Sequence, residues 1–93
     1  MGADDFRAQA QQVFGDLQAN LEAAGAGWAN VVKLTVLLTD MANFPAFNAV
    51  RQEYLQPPYP TATTMAVRGL VSPDRMIEIE AMAVLDQASP DST

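Results

Sequence analysis

The 93-residue sequence predicts a single α+β domain in which two helices cover one face of a mixed three-stranded sheet. The hydrophobic patterns follow the order helix, strand, helix, strand, strand, and the length suits one core. A composition of 49% hydrophobic and 17% charged residues is typical of a globular chain. We therefore predict one domain over 1–93, with its core in 5–86 and a flexible tail at 87–93.

The first helix is predicted between an acidic start and a glycine stop. Asp4 or Asp5 can cap it, because acidic side chains suit a helix N-terminus. Gly25 is expected to end it in a left-handed conformation. Apolar residues recur between these points at spacings of three and four, as one stripe packed on a core: Phe6, Ala10, Val13, Phe14, Leu17, Leu21 and Ala24.

The segment Val31–Thr39 is β-branched and apolar, which predicts a strand. Its even-numbered residues, Val32 to Leu38, form an apolar face, and its odd-numbered residues form a mixed face that we expect to be partly covered. A second helix follows, capped by Asp40 or Asn43 and ended by the prolines of 57–60. Its apolar stripe consists of Phe44, Phe47, Val50, Tyr54 and Leu55.

Two further strands are predicted at Thr61–Arg68 and Arg75–Leu85, joined as a hairpin by a turn over 69–74. The strand-helix-strand unit before them implies a parallel pair and a right-handed crossover. One face of the last strand carries Ile77, Ile79, Ala81, Ala83 and Leu85, and the other carries Met76, Glu78, Glu80, Met82 and Val84. Two helices cover only one sheet face, so the half-apolar second face predicts self-association.

Composition excludes several kinds of chemistry. The chain has no cysteine and no histidine, so disulfides, Ser-His triads and the usual zinc sites are ruled out, and we expect no metal and no cofactor. A net charge of −6 disfavours nucleic-acid binding. The sequence contains no run of the roughly 20 apolar residues that span a membrane and no leader-like start. We therefore expect a soluble, cytoplasmic protein without membrane or nucleic-acid partners.

Several stretches, in order, resemble the RidA family, also called YjgF or liver perchloric-acid-soluble protein. They are NLEAAGA at 20–26, VVKLTVLLTDM at 31–41, FNAV at 47–50 with Glu53-Tyr54, Tyr59-Pro60, and IEIEAMAV at 77–84. The resemblance covers residues 6–86 and rests on the ordered set rather than on one motif. It implies a chorismate-mutase-like homotrimer with sheets facing inward, helices outside and ligand clefts between subunits.

The resemblance also implies chemistry. Enzymatic members hydrolyse 2-imino or enamino acids to 2-keto acids and ammonia without metal or cofactor, whereas others are described as ribonucleases or translation inhibitors, or have no known activity. On this basis Glu78 matches the family's active-site glutamate, Asn48 a cleft asparagine, and Thr64 a cleft-lining position that is often cysteine. Tyr59 can cover a cleft or only pack its loop.

Each of these residues also has a purely structural interpretation. Glu78 and Glu80 point the same way on one strand and are expected to be half-buried between methionines, serving either as acid/base groups or as partners of cations. Asn48 can be an exposed helix residue and Thr64 an ordinary strand residue. Trp28 is expected to anchor the core or an interface.

Two departures from the family pattern bear on activity. Family members usually begin with a two-strand hairpin, which this sequence lacks, so either the start is truncated or three strands suffice. Active deaminases carry Pro-Ala-Arg-Ser where this chain has Pro60-Thr61-Ala62-Thr63, so the arginine that grips the substrate carboxylate is replaced by Ala62.

Three functions remain open at this point. The first is a divergent RidA-like protein that binds a small carboxylate or carbonyl metabolite in clefts between subunits and is weak or inactive as a 2-imino or enamino acid deaminase. The second is a non-catalytic metabolite-binding or structural trimer. The third is an endoribonuclease or translation inhibitor, which the acidic charge and missing histidine disfavour.

Overall fold

A computed structural model describes residues 3–85, with side chains from Asp5 onward. The helices are α1 (Ala3–Ala23) and α2 (Phe44–Tyr54), and the strands are β1 (Val31–Leu38), β2 (Thr61–Ala66) and β3 (Ile77–Ala83). Short 3₁₀ turns at Trp28–Asn30 and Met41–Asn43 precede β1 and α2. The predicted tail at 87–93 and the Asp4 side chain lie outside these described residues. The predicted α+β class is confirmed.

Helix α1 ends as its sequence indicates. Gly25 has φ +79°, and Ala26 N–H donates to the Leu21 carbonyl at 2.7 Å while Gly25 N–H donates to that of Glu22 at 3.0 Å. This is a Schellman arrangement, which satisfies carbonyls that the helix leaves free. At the other end, Asp4 and Asp5 lie inside the first turn rather than before it, where the charge of Asp5 still favours the helix dipole.

Gly25→Ala should therefore destabilise the chain by about 1–2 kcal/mol, the cost of a left-handed conformation for an L-residue. A Cβ at Gly25 would meet nothing within 4 Å, so this cost comes from the backbone alone. Gly27 is a matched control, because it has equal space but a φ of −147°. Urea unfolding should show a loss for Gly25→Ala and none for Gly27→Ala; equal effects would contradict the strain argument.

The sheet has the order β2-β1-β3, and β1 pairs parallel to β2 and antiparallel to β3. The predicted hairpin between the last two strands is therefore wrong. The chain from 67 to 76 is too long for a tight turn and crosses the carboxyl end of β1, where Val67 N–H donates to the Leu38 carbonyl at 2.8 Å. The most apolar strand is thus central and gains hydrogen-bonded partners on both edges.

A β-bulge alters the predicted faces of β1. The pairing with β3 shifts between Val31 and Lys33, so Val31 is buried and Val32 is 46% exposed. Beyond the bulge the predicted alternation holds. The side chains of Leu34, Val36 and Leu38 are buried against the helices.

The core lies between the helices and one face of the sheet, which we call the helix face. Each helix and strand except β2 contributes to it, in the set Phe6, Ala10, Phe14, Leu21, Val31, Leu34, Val36, Leu38, Phe47, Val50, Leu55, Ile77 and Ile79. Trp28 packs against this core, as predicted, and donates from Nε1 to Gln18 Oε1 at 3.3 Å. Met76, predicted on the opposite face, instead packs against the core because it precedes β3.

The opposite face of the sheet, which we call the open face, has no helix over it. Strand register places nine residues there: Lys33, Thr35, Leu37, Thr61, Thr63, Met65, Glu78, Glu80 and Met82. Met65 and Met82 are 44% and 57% exposed. The predicted uncovered second face is therefore present, but it is less apolar than expected, since only Leu37, Met65 and Met82 of the nine are apolar.

Candidate functional site

The predicted site residues on α2 and β2 share the helix face. Ala62 and Thr64 pair with the buried Leu34 and Val36, so they point toward the helices. Helix α1 packs on β3, and α2 therefore covers the side of the sheet nearer β2. Ala62 is nonetheless exposed and Thr64 half-buried, so α2 leaves most of this edge strand uncovered.

The orientation of α2 follows from its contacts with α1. Glu53 bonds Arg7 at 3.5 Å and Gln11 at 3.3 Å, and Tyr54 Oη donates to the Gln11 carbonyl. At 3.6 residues per turn, Asn48 and Arg51 occupy the flank away from α1, which is the flank nearer β2. Asn48, Ala62 and Thr64 thus lie on the same side of the molecule.

Two polar atoms on this flank of α2 are unsatisfied. Asn48 Oδ1 and Arg51 Nε are buried and find no hydrogen-bond partner among the described residues. The Arg51 guanidinium lies 5.7 Å from the Phe47 ring centroid, within range of a cation–π interaction. A buried polar group without a hydrogen-bond partner lowers the stability of a protein. A ligand or a second chain that supplied hydrogen-bond partners to these two atoms would therefore bind more favourably on this flank. Arg51 was not singled out from sequence, although its i+3 spacing from Asn48 indicates a shared flank.

The predicted acidic residues lie on the open face instead. Glu78 pairs with Leu37 and Glu80 with Thr35, and both glutamates are exposed. The expected half-burial is therefore wrong for this chain alone, because nothing covers the open face. Glu80 lines a shallow cavity of about 150 Å³ with Lys33 and Met82. Glu78 borders a cavity of about 320 Å³ at the outer edge of β3, beside Asp16 and Arg75.

The structure thus divides the predicted site residues between opposite faces. Ala62 lies on the helix face of one edge strand and Glu78 on the open face of the other, with β1 between them. Two strand spacings alone separate them by about 10 Å, and the sheet itself blocks a shared ligand. A cleft that used both positions would have to take them from two copies of the chain.

The loop before β2 holds the remaining predicted residue. Tyr59 is 56% exposed and has no ring contact within residues 3–85, so its contribution to a cleft stays a prediction. In the same described range, no group of three or more acidic side chains is placed to hold a metal ion. Neither helix there is long and apolar enough to cross a membrane.

The fold and the divided site define a class of protein: a small α+β chain with one helix-covered face, one open face and polar candidates on both. Comparisons with known proteins identify the family to which this class belongs. The family model described as Endoribonuclease L-PSP matches residues 1–85. The chain therefore belongs to the endoribonuclease L-PSP family, which is the RidA or YjgF family predicted from the sequence.

Relatives in this family carry two kinds of name. A RutC family protein of Synechocystis is 40% identical over 85 residues, covering 91% of this chain and 65% of that protein. A 2-iminobutanoate/2-iminopropanoate deaminase of the mite Dermatophagoides farinae is 38% identical, covering 87% of this chain and 62% of its own length. This chain thus spans less than two thirds of these relatives.

Solved structures confirm the fold. RidA from an Antarctic Psychrobacter species superposes with a TM-score of 0.82 at 38% identity, covering 85% of this chain and 63% of that one. A YjgF-family protein of Mycobacterium tuberculosis superposes with a TM-score of 0.84 at 28% identity, and the match covers 88% of this chain and 70% of that one.

Proposed function

We propose that this protein binds a small carboxylate or carbonyl metabolite in clefts between the subunits of a homotrimer, and that it is weak or inactive as a 2-imino acid deaminase. Membership of a family with members named as imine deaminases supports the ligand class. The separation of Ala62 and Glu78 on opposite sheet faces supports clefts shared between copies. The proposal includes the cytoplasmic location expected from the sequence.

The observation that carries the low activity is the side chain at position 62. The resemblance implies an arginine there, which would bind the substrate carboxylate through two parallel hydrogen bonds. Ala62 offers an exposed methyl group instead. Losing one partner of such a charge pair costs about 2–5 kcal/mol of binding.

The cation that follows β2 does not substitute for the arginine missing at position 62. Arg68 lies six residues beyond Ala62, about 20 Å along an extended chain. In the structure it follows the end of β2 and borders a different cavity. The cleft therefore has no equivalent anchor on β2.

Glu78 retains a possible chemical role in this proposal. A carboxylate can orient water or remove its proton as water adds to the imine carbon, after which ammonia leaves and a keto acid remains. Backbone amides would stabilise the developing charge. Because Glu78 is exposed in a single chain, this role depends on burial by a second copy.

Two alternatives follow from the same observations. A non-catalytic binding or structural trimer is favoured by Ala62, because the substrate anchor is missing. Ribonuclease activity is supported by the description of the family model. The excess of eleven acidic over five basic residues disfavours RNA binding, and the absence of histidine disfavours acid/base cleavage of RNA.

The deaminase test compares this protein with a relative that carries arginine at the position of Ala62. We expect hydrolysis of 2-aminoacrylate-type imines at least about a hundredfold slower, equivalent to roughly 2.7 kcal/mol of transition-state binding. An amino-acid oxidase or dehydratase generates the imine, and semicarbazide traps what remains. A rate equal to that of the relative would contradict the proposal.

Ala62→Arg should raise the rate, since the exposed position on an edge strand accommodates a long side chain. Ala66→Arg is the matched control. Ala66 lies on the same face of β2 and is also exposed, and an arginine there should leave the rate of imine hydrolysis unchanged. If Ala62→Arg remains folded, trimeric and inactive, the non-catalytic alternative is favoured.

A further inference from the structure

The segment 67–76, which joins β2 to β3, borders a cavity that contains none of the candidate site residues but shares Val71 and Arg75 with the cavity beside Glu78. Its volume is about 420 Å³, within the range of small-molecule sites. It lies at the carboxyl ends of β1 and β2, where Thr39 and Arg68 follow the two strands. In sheets with parallel strands, ligands commonly bind at this end. The cavity is lined by Thr39, Arg68, Gly69, Leu70, Val71, Ser72, Pro73 and Arg75.

The charge of this cavity is opposite to that of the chain. The protein has a net charge of −6 and only five lysines and arginines, yet two of these, Arg68 and Arg75, line this one cavity. No acidic residue lines it. Within residues 3–85 neither arginine is in an ion pair, although Arg75 also borders the cavity that Asp16 and Glu78 line.

Hydrogen bonds fix the backbone around both arginines. The Val67 N–H, just before Arg68, donates to the Leu38 carbonyl at 2.8 Å, and the Arg75 N–H donates to the Ser72 carbonyl at 3.1 Å. Gln9 of α1 fixes the residues around Arg75, donating to the Asp74 carbonyl at 2.6 Å and accepting from the Met76 N–H at 2.9 Å. The Thr39 N–H donates to the Met76 carbonyl at 3.2 Å. The segment is therefore attached to both strand ends and to α1.

We propose that this cavity binds the phosphoryl group of a small phosphorylated metabolite. Two guanidinium groups present planar sets of donors that match phosphate oxygens, and the hydroxyl groups of Thr39 and Ser72 add two donors. One carboxylate is satisfied by one guanidinium, whereas the three terminal oxygens of a phosphoryl group can use both arginines and the hydroxyls. Leu70 and Val71 provide apolar surface for the rest of the ligand. The site uses none of the candidate residues of the proposed deaminase-related cleft.

An NMR titration of the ¹⁵N-labelled protein with inorganic phosphate at constant ionic strength tests the proposal. We expect saturable amide shifts at Thr39 and across 68–76. Arg68→Gln and Arg75→Gln should each weaken phosphate binding about tenfold or more, since each removes charged hydrogen bonds. Arg7→Gln, which changes another exposed arginine but on α1, should weaken it less than about twofold, as a screened surface charge does.

Three results would overturn the assignment. Shifts spread over all the cationic residues, or an equal loss in Arg7→Gln, would show non-specific attraction. Unchanged binding in either Arg68→Gln or Arg75→Gln would show that the two arginines do not share a ligand. Acetate binding as tightly as phosphate in the unmodified protein would exclude the phosphoryl assignment without the use of any variant.

Discussion

The protein is expected to be a trimer of about three times 10.0 kDa, and Met82→Glu is expected to convert that trimer into a monomer. Met82 is 57% exposed on the open face, beside Lys33 in the strand register. If the open faces meet in the assembly, a glutamate there is buried without water, which costs several kcal/mol in each subunit. Sedimentation velocity at micromolar concentration measures the change directly.

Met41→Glu is the matched control for this prediction. Met41 is 44% exposed, but it lies in the 3₁₀ turn before α2 rather than on the sheet. The same substitution there should leave the trimer intact. A stable monomer for the unmodified chain, or dissociation by both variants alike, would refute the assignment of the open face as the interface.

Phe14→Ala is expected to cost about 3–5 kcal/mol of unfolding free energy, the usual effect of removing a buried phenylalanine. Phe14 is fully buried, and its ring centroid lies 5.2 Å from Tyr54, 5.8 Å from Trp28 and 6.0 Å from Phe47. These rings join α1, α2 and the turn before β1. Since the total free energy of unfolding of a native protein is about 5–15 kcal/mol, this one substitution removes a large share of the stability.

Urea denaturation followed by circular dichroism, at one fixed protein concentration, measures this loss. Tyr59→Ala is the control, because its ring is exposed in the loop before β2 and its removal should change stability by no more than about 0.5 kcal/mol. A loss below about 1 kcal/mol for Phe14→Ala would show that the core closes over the vacancy.

The local elements could be read from the chain because their signals are local. Helical spacing placed Phe6, Phe14 and Leu21 on one buried stripe, and Gly25 marked the helix end, since only a residue without a Cβ adopts that conformation without strain. Alternation on the last strand correctly separated the buried Ile77 and Ile79 from Glu78 and Glu80 on the opposite face, although the two glutamates are exposed rather than half-buried. These outcomes need no information about partners distant in sequence.

Which strands pair depends on residues that are far apart in sequence, and the hairpin predicted from the sequence is wrong. Adjacent strands suggested a hairpin, but β2 and β3 flank β1, because hydrogen bonds to both edges of the most apolar strand outweigh the shorter connection. The bulge that buries Val31 and exposes Val32 likewise depends on the fit between β1 and β3. Alternation defines the two faces of a strand, but it does not determine which strand lies beside it.

The family, the order of the elements and the types of residue available for chemistry follow from the amino-acid sequence, which offers carboxylates, amides and hydroxyls without cysteine or histidine. The positions of Ala62 and Glu78 on opposite faces of one sheet, and of Arg68 and Arg75 in one cavity, follow instead from how the strands are arranged in space. The reason is physical. Residue types and periodicity are properties of the chain, whereas the distance between two side chains depends on strand order and register, which long-range hydrogen bonding and packing set together.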